Sequence, residues 1–198
     1  RVYDVLTMDY MYADVNDILI MLGNHDMDRI ADVVKDQDPR RVKLAYTLLA
    51  TMRGIPQVFY GDEYAMKSAD RNLGHSTLRM PLPLGEQVTE DMQDMFDYQS
   101  RLFQWRKGEE VIHTGKTMHF MSRDNTYAFF RYNANEAVFV FANASEDSRT
   151  IPTANYAEIL SKYNPVGIDI ITGKTIDLSQ KDIIVDPVSS IIVKLQAK

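Results

Sequence analysis

Residues 22–29 read LGNHDMDR. From Asn24 to Asp28 they gather an amide, an imidazole and two carboxylates, directly after the apolar run DILIML at residues 17–22. Two chemistries use an Asn-His-Asp cluster at a strand end. One is a binuclear metal centre that splits phosphate esters. The other is a sugar-cleaving site in which a carboxylate holds the hydroxyls of a ring. The metal centre needs more ligands than this cluster supplies: an Asp-x-His, a Gly-Asp-x-x-Asp and a Gly-His-x-His. The other histidines are His75, His113 and His119, no Asp-x-His occurs, and GHST at Gly74 lacks the second His. The sugar site asks less of the chain. It needs carboxylates, amides and aromatics presented together where strands end, because carboxylates accept paired hydrogen bonds from vicinal hydroxyls.

The elements that would present such groups alternate in type. DILIML reads as a strand buried on both faces. DPRRVKLAYTLLATMRG then reads as a helix, with Asp38 as N-cap, Pro39 at the first helical position and Gly54 past the end. Val42, Ala45, Leu48, Leu49 and Met52 fall at helical spacing. IPQVFYG, residues 55–61, reads as a second buried strand ended by Gly61. In a (β/α)₈ barrel, catalytic residues sit where strands run out into the loops at the C-terminal face. His25 and Asp26 would stand at one such place. Asp62 and Glu63 would stand at the next, with Phe59, Tyr60 and Tyr64 available to stack on ring faces. An irregular stretch covers residues 62–87, long enough by base rates to be functional or mobile. A second helix is predicted from Thr89 as N-cap to Lys107, with Met92, Met95, Phe96, Leu102 and Phe103 on its apolar face.

After Gly108 the pattern changes to short β-rich runs separated by turn residues, such as TYAFFRYN, AVFVFANAS and SSIIVKLQ. They predict an antiparallel sandwich. A boundary is placed near Gly108, giving an α/β part at residues 1–108 and an all-β part at 109–198. The segment from Tyr156 to Tyr163 reads as a short helix. Trp105 and the aromatics of TYAFFRY are read as core residues rather than sugar platforms.

Composition excludes several classes. The 198 residues carry 22 Lys and Arg against 28 Asp and Glu, a net charge of −6. That balance argues against nucleic acid as a partner, since phosphate binding needs a basic stripe. The absence of cysteine removes disulfides, thiolate metal sites and thiol catalysis, while leaving cytoplasm and periplasm both open. No apolar run reaches the roughly 18 residues of a membrane span. The chain opens on Arg1 with no signal-peptide pattern, as though cut into the middle of something longer.

At this point the motifs resemble a known family. ILIMLGNHDMDR is similar to the last conserved segment of the α-amylase superfamily, glycoside hydrolase family thirteen. MRGIPQVFYGDEYAM resembles that family's eighth-strand segment. LFQWRKGEEVIHTGK resembles its final barrel helix, and YAFFRYNANEAVFVFAN, DIITGK and VDPVSSIIVKL resemble the strands of its C-terminal domain C. The LGNHDMDRI context is most similar to neopullulanases and cyclomaltodextrinases. The resemblance covers essentially the whole chain, with the motifs in order.

It implies the last two βα units of a (β/α)₈ barrel followed by an antiparallel β-sandwich. It also implies a parent enzyme that hydrolyses α-glucosidic bonds with retention, on maltooligosaccharide, pullulan or cyclodextrin. Asp26 would be the third catalytic carboxylate, binding the sugar at the cleavage subsite and favouring its distortion towards an oxocarbenium-like state. His25 would bind the same sugar. Asp62 and Arg79, in LRMPLPLG, are candidate substrate contacts, with capping for the first and an internal salt bridge for the second as the alternatives. Arg29 matches the motif's Arg as a structural partner. The nucleophile and the general acid/base would precede Arg1, leaving the fragment alone inactive. A non-catalytic carbohydrate-binding or structural module is the other reading. No cofactor is expected; calcium in the parent and a homo-oligomeric state are left open, and no oxygen-ligand loop for calcium appears here.

Overall fold

The structure, a computed structural model, describes residues 2–198, with the backbone alone at Arg71. Its helices are α1 (Val2–Leu6), α2 (Ile30–Val33), α3 (Pro39–Thr51), α4 (Glu90–Lys107), α5 (Glu110–Thr114) and α6 (Ala157–Leu160). Its strands are β1 (Leu19–Met21), β2 (Ile55–Gln57), β3 (Lys116–His119), β4 (Thr126–Tyr132) and β5 (Glu136–Asn143), then β6 (Arg149–Pro152), β7 (Val166–Asp169), β8 (Thr175–Asp177), β9 (Asp182–Val185) and β10 (Ser189–Gln196).

Local chemistry starts the two long helices where the spacing predicts. The Asp38 side chain accepts from the Arg40 N–H ahead of α3, with Pro39 at its first position. Thr89 accepts from the Met92 N–H ahead of α4. The end of α3 is closed from a distance. The Arg106 guanidinium, on α4, donates to the carbonyls of Ala50 at 2.8 Å, Met52 at 2.9 Å and Gly54 at 2.5 Å. A cation there complements the C-terminal end of the helix dipole. Burial pulls the Arg106 pKa down to about 10. Gly54 is obligatory: its φ is +97° and a Cβ would stand 2.5 Å from the Ile18 carbonyl oxygen. That close approach lets the Ile55 N–H donate to the same oxygen and start β2 beside β1.

β1 and β2 pair in parallel, Leu19 opposite Ile55 and Met21 opposite Gln57, with α3 in the crossover. Followed by α4, they form two consecutive βα units of a barrel wall. Both strands are shorter than the apolar runs that mark them. Burial on both faces does not hold either: Leu19 and Ile55 are 50% and 53% exposed. Among the described residues each strand has a ladder partner on one side only, so the other edge and the barrel-facing side chains lie open.

The sandwich is a six-stranded sheet in the order β3-β4-β5-β10-β7-β8 faced by the β6-β9 pair. The middles of its central strands β4, β5 and β10 are buried on both faces, because alternate residues enter two different cores. Phe130, Phe139, Phe141, Ile191 and Val193 face β6, β9 and α6, and meet Ile151, Val185 and Ile159 there. Phe129, Val138, Val140 and Ile192 point the other way and meet Ala50, Leu102, Val111 and Ile112 from the helices. Trp105 packs against this second cluster. Strands β8 and β9 lie outside the β-rich runs named from the sequence; both are edge pieces of three or four residues. On α4 the buried stripe is Met95, Gln99, Leu102 and Arg106. Phe96, expected on that stripe, is 36% exposed and stacks on Tyr64 with ring centroids 5.3 Å apart.

This asymmetry has a measurable consequence. Amide hydrogen exchange of the chain is expected to be faster at residues 19–21 and 55–57 than in β4, β5 and β10, whose ladders are flanked on both sides. Equal protection in the two sets would show that the parallel pair is stable without further strands.

Candidate active site

The chain leaves β1 into a turn that Asn24 builds. Asn24 Oδ1 accepts from the Asp26 N–H at 2.8 Å, and its carbonyl accepts from the Met27 N–H at 3.3 Å. Turn formation is thus done by the amide. The next two side chains are released: His25 and Asp26 are 60% and 59% exposed, with His25 Nε2 3.2 Å from Asp26 Oδ2. On the other carboxylate oxygen, Oδ1, converge Arg79 Nη2 at 3.4 Å and His75 Nδ1 at 3.6 Å. One exposed carboxylate therefore stands between nitrogen groups from two loops.

Arg29 is the frame behind this corner. Its side chain is fully buried, and the guanidinium donates to the Tyr60 carbonyl at 2.9 Å, Asp62 Oδ1 at 2.7 Å and the Leu78 carbonyl at 2.6 Å. Its guanidinium carbon lies 4.6 Å from the Phe59 ring centroid. A single side chain thus ties the loop after β1 to the exit of β2 and to the long loop beyond. Arg suits this task because its planar fork presents donors in several directions at once.

Asp62 corrects an expectation. It is buried, 1% exposed, and both carboxylate oxygens are occupied: Arg29 holds Oδ1, and the Tyr46 hydroxyl donates to Oδ2 at 3.2 Å. Burial pushes its carboxyl above the ordinary value, against Arg29 and Tyr46, which pull it down. It supports the site from beneath and offers nothing to a ligand. The cause is Gly61, whose φ of +87° turns the chain inward; a Cβ there would meet the Met66 sulfur at 2.4 Å. Phe59 is likewise spent on Arg29, and the Tyr60 hydroxyl donates to the Met80 carbonyl. Arg79, by contrast, reaches Asp26 and also donates to the His75 carbonyl at 3.0 Å.

His75 is the residue that motif reading missed. Its spacing marks it only as an incomplete metal-ligand motif, and its place beside Asp26 depends on how an irregular loop folds back. Among the described residues no three His, Asp or Glu side chains converge as a metal ion requires.

Comparison with known proteins adds to this geometry. A family model described as alpha amylase, catalytic domain, matches residues 5–150, and one described as cyclo-malto-dextrinase C-terminal domain matches residues 117–194. The chain is similar to a cyclomaltodextrin glucanotransferase of Geobacillus stearothermophilus, 26% identical over 144 residues, covering 69% of this chain and 18% of that protein. It is also similar to a 4-alpha-glucanotransferase of Thermotoga neapolitana, 36% identical over 67 residues, covering 34% of this chain and 15% of that protein. Among solved structures, an alpha-amylase from Geobacillus thermoleovorans complexed with acarbose superposes over 100% of this chain and 43% of its own, at 20% identity and a TM-score of 0.79. At that identity the likeness shows the fold. The chain spans less than half the length of each of these proteins.

Proposed function

Because the chain belongs to the α-amylase family, we propose that its loop after β1 forms part of the cleavage subsite of a retaining glycoside hydrolase acting on α-glucans. The observation that carries this is the exposed Asp26 carboxylate at a barrel-strand end, left free by a turn that Asn24 makes without it. In the proposed mechanism Asp26 accepts hydrogen bonds from vicinal hydroxyls of the sugar being cleaved. Those bonds strengthen as the ring flattens towards an oxocarbenium-like state. His25 donates to the same sugar, and the two side chains already lie within contact of each other. Arg79 lies at the rim of the same corner, where a substrate contact and the ion pair to Asp26 are compatible. The relatives are named as glucanotransferases, which supports a glucan as the substrate class here. The nucleophile and the general acid/base of such an enzyme lie roughly 5 Å apart on other barrel strands. No carboxylate described here is assigned to either role, and this chain by itself is proposed to be catalytically silent.

The intact enzyme tests the proposal directly. Proton NMR of the reducing end newly formed by cleavage of a maltooligosaccharide, recorded before it mutarotates, is expected to show the α-anomer, the outcome of a double displacement. A β-anomer would exclude the retaining mechanism. Binding of the oligosaccharide without turnover would favour a carbohydrate-binding module instead.

A further inference from the structure

The turn that carries His75 is held more firmly than an exposed loop requires. Gly74 has φ +75° and ψ −165°, a region essentially reserved for glycine. Nothing lies within 4 Å of where its Cβ would be, so glycine serves the backbone there and not the space. From Gly74 the chain enters a 3₁₀ turn, His75–Leu78, closed by the Thr77 hydroxyl and N–H donating to the Gly74 carbonyl. Leu78 is buried, and its carbonyl is the one that Arg29 holds from below. Arg79 then bends back to the His75 carbonyl while its other nitrogen reaches Asp26. The two ends of the turn are thus pinned, and what they aim is a pair of nitrogen groups at Asp26 Oδ1.

We propose that His75 and Arg79 are positioning residues for Asp26, holding its carboxylate from the Oδ1 side in the orientation that accepts a sugar's vicinal hydroxyls. This rests on the sugar-binding role given to Asp26 above. His25 approaches only Oδ2, so without the second pair the exposed carboxylate can turn about its side-chain bonds and away from this corner. Polar contacts as exposed as these contribute little to folding, since water screens them and long side chains lose entropy in forming them. Their effect belongs to catalysis, where a misplaced group is costly.

The test is a double-mutant cycle on the intact enzyme with maltooligosaccharide as substrate. His75→Ala and Arg79→Ala are each expected to lower kcat by about 10-fold, with KM moving by less than about 2-fold and the melting temperature unchanged. His75→Gln, which keeps a hydrogen-bond donor, is expected to recover part of the loss. In an Asp26→Asn background, His75→Ala is expected to add nothing, because the charged carboxylate it positions is gone. A loss of the same size in both backgrounds would mean that His75 acts on substrate independently of Asp26, and would overturn the proposal. So would unchanged kcat in both alanine variants while Asp26→Asn is impaired. Unimpaired Asp26→Asn is a separate outcome, which removes the reading of Asp26 itself.

Discussion

Replacing Asp26 by asparagine in the intact enzyme is expected to lower kcat by at least about 100-fold, the scale of losing one group that bonds the transition state. Asparagine keeps the shape and one acceptor oxygen but loses the charge that favours a cationic ring. Folding should barely change. The side chain is 59% exposed and its partners are exposed too, so that each contact is worth no more than about 1 kcal/mol. The turn itself survives, because it depends on the Asn24 side chain and the Asp26 backbone N–H. Steady-state kinetics on maltooligosaccharide or pullulan, with a thermal melt as control, decides the matter. A variant that retains most of its kcat removes Asp26 from the transition state.

The largest loss of stability is expected at Arg29. Arg29→Met strips donors from the Tyr60 and Leu78 carbonyls and leaves Asp62 buried without its cation. Removing one partner of a buried pair costs about 3–5 kcal/mol, because the remaining charge has lost its solvation and its counter-charge together. A double variant, Arg29→Met with Asp62→Leu, should cost less than Arg29→Met alone, since no charge is then stranded. Urea midpoints at constant slope measure both.

The pH dependence follows from the burial of Asp62. Its carboxyl is already pushed above the ordinary value of 3.8, and loss of Arg29 removes an opposing pull. With a folded-state pKa above the unfolded one, the folded state binds the extra proton. The penalty of Arg29→Met should therefore shrink as pH falls through the raised pKa towards 3.8, and be fully present above it. A penalty that grows on acidification would contradict the burial of an uncompensated carboxylate.

Much of this molecule could be read from local pattern. The Asp38–Pro39 and Thr89 caps act within three residues of themselves, so the starts of α3 and α4 were legible. The place of His25 and Asp26 just past β1 was legible too, because they follow directly on the apolar run that ends at Leu22. The order of the motifs along the chain is itself that of the α-amylase family.

What escaped depends on partners far along the chain. Asp62 looked like a ligand-facing carboxylate because it follows a strand, yet Gly61 turns it inward to Arg29, 33 residues away. Arg106 sits on a helix face that helical spacing alone marks as apolar, and its acceptors are carbonyls at and just past the end of α3, more than 50 residues distant. His75 belongs to no motif, and only the fold-back of its loop brings it to Asp26. The distinction is physical. Caps, turns and periodicity are set by groups within one or two turns of chain, so residue type and spacing determine them. The direction in which a charged side chain points after a strand is set by which distant donor or acceptor compensates its burial, and only the packed structure supplies that partner.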